Sequence, residues 1–307
     1  MGLLIVFLDG VGLGADDPVT NPLAAAPMPV LRGLLGGAGL TRAALDRPAY
    51  IPPTTLVALD ATLGVAGLPQ SGTGQATLWS GINVAARIGR HSGPYAPPQA
   101  REILLSNNLF QAAAHHPRAA AFANAYPPRY LDRLERGTAR QSVTALAAYL
   151  GGATLRGPDE LRQGEAVSAF VTNELWATRL GVVGMPEVTA FEAGENLARL
   201  ARRHAVTVFE FFATDMAGHR RDPELTTTSL ERIDGLLGGV VATLDPARDL
   251  LLVTSDHGNL EDATSSEHTL NPAPGLVWGA GAFDMAARLA SLADVTPAAL
   301  DWLAGAR

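Results

Sequence analysis

Leu3-Leu4-Ile5-Val6-Phe7-Leu8 runs straight into Asp9-Gly10. An unbroken apolar run of this length, closed by an aspartate and a glycine, is the pattern of a strand buried on both faces and ending in a turn. The pattern returns twice: Val206-Thr207-Val208-Phe209-Glu210-Phe211-Phe212 leads to Asp215, and Leu250-Leu251-Leu252-Val253 leads to Asp256-His257. Strands buried on both faces belong to mostly parallel sheets covered by helices, and open sheets of that kind gather reactive groups at the carboxyl ends of their strands. The three aspartates are therefore expected along one edge of one sheet.

Working outward, residues 56–63 and 119–125 read as further strands and 276–278 as a last short one. Residues 30–35, 101–114, 192–204 and 225–244 carry helical patterns between them. The alternation predicts an α/β fold with a mostly parallel central sheet and helices on both faces. Between residues 126 and 186 the strong strand signals disappear, while 141–150 and 173–180 look helical. Residues 1–125 and 187–307 are thus expected to form the core, and 126–186 a small, mainly helical insertion or lid over the active edge.

The chain has 307 residues, 47% hydrophobic and 17% charged, which suits a compact globular protein rather than a disordered one. Its net charge of −7 gives no global field that would favour nucleic acid or an anionic membrane. Without cysteine there is neither a disulfide nor a thiolate metal ligand. Every one of the 23 basic residues is arginine, so a phosphate clamp would have to use arginine, histidine, a metal or backbone N–H groups. The opening apolar run is short and ends in Asp-Gly, as a core strand does and a signal peptide does not. A soluble, cytoplasmic protein is expected, with a small phosphorylated substrate as partner and neither nucleic acid nor membrane.

Histidines cluster near the aspartates. His219 follows Asp215 by four residues, a spacing that puts both side chains on one side of a helical turn. Asp256-His257-Gly258-Asn259 places two adjacent ligands at a strand end, and His268 follows in Glu267-His268-Thr269. Gln70-Ser71-Gly72-Thr73-Gly74-Gln75 supplies a hydroxyl near a predicted helix N-terminus, where free N–H groups favour an anion. Thr73 is preferred over Ser71 as nucleophile because glycines flank it. Each motif has an ordinary alternative as a turn, a cap or a solvated histidine; their co-occurrence is what points to chemistry. Carboxylates, imidazoles and a hydroxyl are the donors of a two-cation site with a nucleophile between the ions. Asn83, Arg87, Arg90 and His91, and also Arg220 and Arg221, are candidates to hold phosphate oxygens.

Taken together these motifs resemble the alkaline phosphatase superfamily, most closely its cofactor-independent phosphoglycerate mutase branch. Asp9-Gly10-Val11-Gly12, Asn21 through Pro29, Asp256-His257-Gly258-Asn259-Leu260-Glu261 and His268-Thr269-Leu270-Asn271-Pro272 are similar to that branch's signatures, in the same order. The resemblance implies one metal held by Asp215, His219 and His268, and a second held by Asp9, Asp256, His257 and the Thr73 hydroxyl. It departs from the mutases in that residues 126–186 are too few for their large inserted domain, and in having no lysine. The expected activity is hydrolysis of a phosphate ester through a phospho-threonine, with two divalent ions, Mn or Zn. The alternatives are a phosphomutase of the phosphoglycerate mutase type and a catalytically silent, metal-stabilised binding protein.

Overall fold

A computed structural model describes residues 1–47 and 53–305. Its strands are β1 (Leu3–Leu8), β2 (Thr54–Leu59), β3 (Ala120–Phe122), β4 (Asn124–Ala125), β5 (Val167–Ser168), β6 (Val206–Phe211), β7 (Leu250–Thr254) and β8 (Ala273–Gly279). Six of them form one sheet in the order β2-β8-β7-β1-β6-β3, with β4 and β5 paired separately. The three strands with the apolar-run pattern lie side by side at the centre: β1 pairs in parallel with β6 and with β7. Only β8 runs against its neighbours, antiparallel to both β7 and β2. The sheet is therefore mostly parallel, as expected, with one reversed strand near an edge.

Burial on both faces explains the apolar runs. Leu3, Ile5 and Phe7 point into one hydrophobic layer and Leu4, Val6 and Leu8 into the other. The first layer is roofed by helices Ser71–Ser80, Pro98–Ser106, Val143–Leu150 and Val295–Gly305. The second is roofed by Pro29–Leu34, Ala190–Arg203 and Pro223–Thr243. Trp79 is fully buried at the centre of the first layer, edge-on to Phe7 at 5.7 Å, and its Nε1 donates to Thr144 Oγ1 at 2.9 Å. A buried indole N–H needs such a partner, and this one ties helix Val143–Leu150 to helix Ser71–Ser80.

That tie divides the segment expected to be a separate insertion. Val143 and Ala145 through Ala148 belong to the main core beneath the sheet. Farther along, Leu161, Ala166, Trp176 and Val182 form a small cluster with Ala125, while Val167 and Val171 of the same segment pack into the second main layer. Residues 101–114 also divide, into Pro98–Ser106 and Leu109–Ala113, because the Asn108 side chain caps the second helix by accepting from the Gln111 N–H. Among the described residues no helix is long and apolar enough to cross a membrane.

Candidate metal centre

β1, β6 and β7 run parallel and in register, so their carboxyl ends finish level. Asp9 follows β1, Asp256 and His257 follow β7, and helix Ala213–Arg220 begins just past β6 with Asp215 in its first turn. Gly10 has φ +69°, and a side chain on it would come within 2.6 Å of an Asp215 carboxylate oxygen. Only glycine permits both that backbone and that closeness. On the other side Gly74 lets helix Ser71–Ser80 approach the backbone of Asp256, where a Cβ would already stand 3.0 Å from the Asp256 carbonyl.

The charged groups form two adjoining clusters. In the first, His219 Nε2 lies 3.4 Å and His268 Nε2 3.6 Å from the Asp215 carboxylate. In the second, His257 Nε2 lies 3.6 Å from Asp9 and 3.5 Å from Asp256. The His257 and His268 rings stack 3.8 Å apart and join the two. All six residues nominated at strand ends and in the Glu-His-Thr loop therefore come together.

Protonation shows what the clusters are built to hold. His268 Nδ1 stands 2.6 Å from the Pro69 carbonyl, and His219 Nδ1 stands 2.8 Å from the Ser266 carbonyl. A carbonyl can only accept, so both Nδ1 atoms carry hydrogen and the two Nε2 lone pairs face each other 3.0 Å apart. Only a proton or a metal cation between them removes the repulsion. The buried Asp9 Oδ1 and Asp256 Oδ2 have no hydrogen-bond partner among the described residues. Unpartnered carboxylate oxygens beside converging imidazole lone pairs are a donor set for divalent cations.

Electrostatics agree. Burial, then the neighbouring Asp256 and Asp215, pushes the Asp9 carboxyl well above the ordinary carboxylate range. Burial likewise raises Asp256 to about 6 and lowers His257 to about 3. Without cations the pocket resists charging; bound cations would supply what the carboxylates lack.

The hydroxyl in the centre is not the one expected. The helix begins at Ser71, with Gln70 as its N-cap, so Thr73 sits inside the first turn. Residues four apart share a helix face, and Ser71 and Gln75 are the pair that face the cluster. Ser71 Oγ lies 3.0 Å from His257 Nε2, and Gln75 Nε2 donates to Asp9 at 3.2 Å. Thr73, two residues on, is turned away. Its fully buried hydroxyl donates to the Gln70 carbonyl at 3.2 Å and accepts from the Ser92 N–H at 3.2 Å. Thr73, expected as nucleophile and metal ligand, thus has its hydroxyl placed on the Gln70 and Ser92 backbone rather than at the cluster, because the helix starts two residues earlier than its glycines suggest.

The expected phosphate contacts are also not brought together. Asn83 caps the next short helix through Ala86 N–H and donates to the Leu63 carbonyl, beyond the far end of the Ser71 helix. The His91 Nε2 is held at the Val65 carbonyl. Arg87 and Arg90 are exposed, and their guanidiniums make no hydrogen bond or ion pair among the described residues. Arg221 Nε donates to the Ala263 carbonyl, while Arg220, exposed beside His219, has no hydrogen bond or ion pair from its guanidinium among the described residues.

Two supporting residues were not singled out in the sequence. Asn259 Nδ2 donates to Asp215 at 2.8 Å and fixes that carboxylate. Glu261 accepts from the Gly12 and Asn259 N–H groups, from the Thr269 hydroxyl and from the Asn271 amide, binding together the loops that carry Asp9, Asp256 and His268. Both lie in the Asp256–Glu261 motif, whose spacing is the signal that marks them.

Comparisons with known proteins fit this geometry. Residues 173–305 match the Metalloenzyme superfamily. The chain is 32% identical over 124 residues to the 2,3-bisphosphoglycerate-independent phosphoglycerate mutase of Desulforudis audaxviator, a match covering 38% of this chain and 24% of that one. It is 33% identical over 127 residues to the same-named protein of Acetivibrio thermocellus, with the same coverages. The match thus spans about a quarter of those relatives' length. Over nearly the whole chain the fold is similar to the PH0037 protein of Pyrococcus horikoshii, with TM-score 0.57, 14% identity and coverage of 99% and 97%. It is similar also to the alkaline phosphatase of the Antarctic bacterium TAB5, with TM-score 0.50, 11% identity and coverage of 100% and 98%. Over its C-terminal part the chain is thus similar to the Metalloenzyme superfamily and to those mutases, and over nearly its whole length it shares the fold of PH0037 and of an alkaline phosphatase.

Proposed function

We propose that the protein hydrolyses a small phosphate ester through a phosphoserine formed on Ser71. The observation that carries this reading is the Ser71 hydroxyl, 3.0 Å from His257 Nε2 at the junction of two cation-ready clusters. Asp215, His219 and His268 would hold one divalent ion, and Asp9, Asp256 and His257 the other, with the Ser71 hydroxyl beside them. Mixed carboxylate and imidazole ligation without thiolate suits Mn²⁺ or Zn²⁺ better than Mg²⁺ or Ca²⁺. Such a pair of ions supplies acidity to the hydroxyl and neutralises charge on the transferring group.

The protein's own groups then do the rest. The first turn of helix Ser71–Ser80 orients the Ser71 oxygen toward the cluster. Gln75 and Asn259 hold the Asp9 and Asp215 carboxylates so that the donors do not swing apart. Ser71 releases its proton to solvent and forms a new P–O bond as the ester P–O bond breaks. The alcohol leaves with a proton taken from solvent. A water molecule then attacks phosphorus, the bond to Ser71 breaks, and inorganic phosphate departs as the hydroxyl is restored.

Hydrolysis is favoured over mutase chemistry by solvent access. The His219 side chain is 45% and the Asp215 side chain 18% exposed, so water reaches the first cluster directly. A mutase must keep water from its phosphoenzyme. The test is acid quenching of the metal-loaded protein during turnover of 4-nitrophenyl phosphate, followed by peptide mass spectrometry. Phosphate on Ser71 is the expected result; phosphate on Thr73, or on neither residue despite turnover, overturns the assignment.

A further inference from the structure

A second cavity lies beside the metal centre, on the other flank of helix Ala213–Arg220. It has a volume of about 730 Å³ and is walled by Tyr126, Phe170, Trp176, Phe212, Met216 and Arg220, among others. None of the metal-site residues lines it. The helix links the two sites by its geometry. At 3.6 residues per turn, Asp215 and His219 occupy one stripe, and Phe212, Met216 and Arg220 the adjacent one, roughly 80° around the axis. A molecule held at the first cluster can thus extend past the exposed Arg220 into this cavity.

The chemistry of the walls narrows what fits. Phe212 comes from the core and Phe170 from the segment that follows β5; their rings meet edge to face, with centroids 5.4 Å apart. Phe212 nevertheless remains 37% exposed, and that surface borders the cavity. Trp176, buried beneath, has its one donor satisfied by Ser168 Oγ at 3.2 Å. Arg232 is engaged by Glu174 and the Phe170 carbonyl, which holds the Phe170 wall in place. Among the described residues neither the Arg220 nor the Arg179 guanidinium has a hydrogen-bond or ion-pair partner, and a free guanidinium stacks readily on a flat ring. The volume lies within the range of small-ligand sites, and aromatic faces set among charged groups such as Arg220, Asp222 and Glu224 favour a guest that joins a flat ring to polar substituents.

We infer that this cavity receives the aromatic part of the substrate, making the preferred substrate a phosphate ester of an aromatic alcohol or of a nucleoside. The inference rests on the phosphatase reading for the word ester; the ring site itself does not. Two measurements separate the two claims. The first is binding of 1-naphthol and of adenosine to the metal-loaded protein, followed by tryptophan fluorescence or ligand-observed NMR, which needs no turnover. The second is the ratio of kcat/KM for 1-naphthyl phosphate and adenosine 5′-monophosphate to that for ethyl phosphate.

At least one ring compound is expected to bind, and its ester to be preferred over ethyl phosphate by roughly tenfold or more. Whether naphthol or adenosine binds better identifies which kind of ring is natural. Phe170→Ala, and Ala169→Trp as a filling variant from the wall away from the metal ligands, should each weaken ring binding and collapse the ester preference. Ring binding that survives with no ester turned over would support the cavity and remove the phosphatase reading. Ester hydrolysis without ring preference, or ring binding indifferent to both folded variants, would overturn the cavity proposal and leave the phosphatase reading standing.

Discussion

At the scale of single residues the site turns on which hydroxyl faces the metals. Ser71 and Thr73 are two positions apart, so on a helix their side chains point about 200° apart. Ser71→Ala is expected to lower kcat at least about a thousandfold while leaving metal binding intact, since it removes the atom that forms the new bond. Thr73→Val should behave differently. It leaves the Ser92 N–H without its acceptor in a buried place, at a cost of about 1–3 kcal/mol in stability, and lowers kcat far less. Denaturant melts and steady-state rates on both variants decide between them; equal loss of turnover would undo the assignment to Ser71. The sequence held both hydroxyls in one motif and favoured Thr73 for its flanking glycines, whereas which of them faces the cluster depends on where the helix starts. That start is set by Gln70, whose carbonyl takes up the Thr73 and Gly74 N–H groups.

At the scale of elements the site is held by loops that would otherwise be mobile. Glu261 gathers donors from the loop after β1 and from the segment carrying His268. Glu261→Ala therefore strands several buried donors at once and is expected to cost about 3 kcal/mol or more. The same change should weaken metal affinity about 10–100-fold, because the residues it frees position ligands rather than ligate. Isothermal titration with Zn²⁺ checks this: unchanged affinity in a folded variant would mean that the loops are fixed without it. Gly10→Ala makes a companion test. Its φ is positive, and the added Cβ would stand 2.6 Å from an Asp215 carboxylate oxygen. Disruption of the first cluster and loss of activity are the expected results, read by the same titration and by steady-state rates.

At the scale of the whole molecule, folding and metal loading are one equilibrium seen from two sides. Burial raises Asp256 to about 6 and Glu210 to about 7, above the values of the unfolded chain. Between the ordinary carboxylate pKa and these raised values the unfolded state binds fewer protons than the folded state, so stability falls as pH rises. His257, lowered to about 3 by burial, works in the opposite sense up to its unfolded pKa, but the three raised carboxyls of Asp9, Asp256 and Glu210 outweigh it, so metal-free protein should lose thermal stability toward about pH 7. Divalent metal should reverse that loss, adding about 2.7 kcal/mol per site at a hundredfold excess over its Kd. Scanning calorimetry with and without EDTA across this range tests the sign; metal-free stability that climbs with pH would contradict it. Native mass spectrometry of the Zn²⁺- or Mn²⁺-loaded chain should show two ions.

The sequence by itself determined the sheet, its central strands and six of the residues that meet at its edge. Apolar runs long enough to be buried on both faces can pair only inside a covered parallel sheet, and a carboxylate ending each run must then emerge at the same edge. These are properties of local order along the chain, readable wherever a strand and its terminating residue are contiguous. Tertiary structure alone decided the rest. Helix Val143–Leu150 joined the main core because Trp79, distant in sequence, needed a partner for its indole N–H at Thr144. Asn83 and His91 were spent on neighbouring backbone groups rather than on a ligand. Ser71 rather than Thr73 lies against His257 because facing is fixed by helix phase, and the cavity at Phe170 and Phe212 exists only where two segments far apart in sequence close on each other.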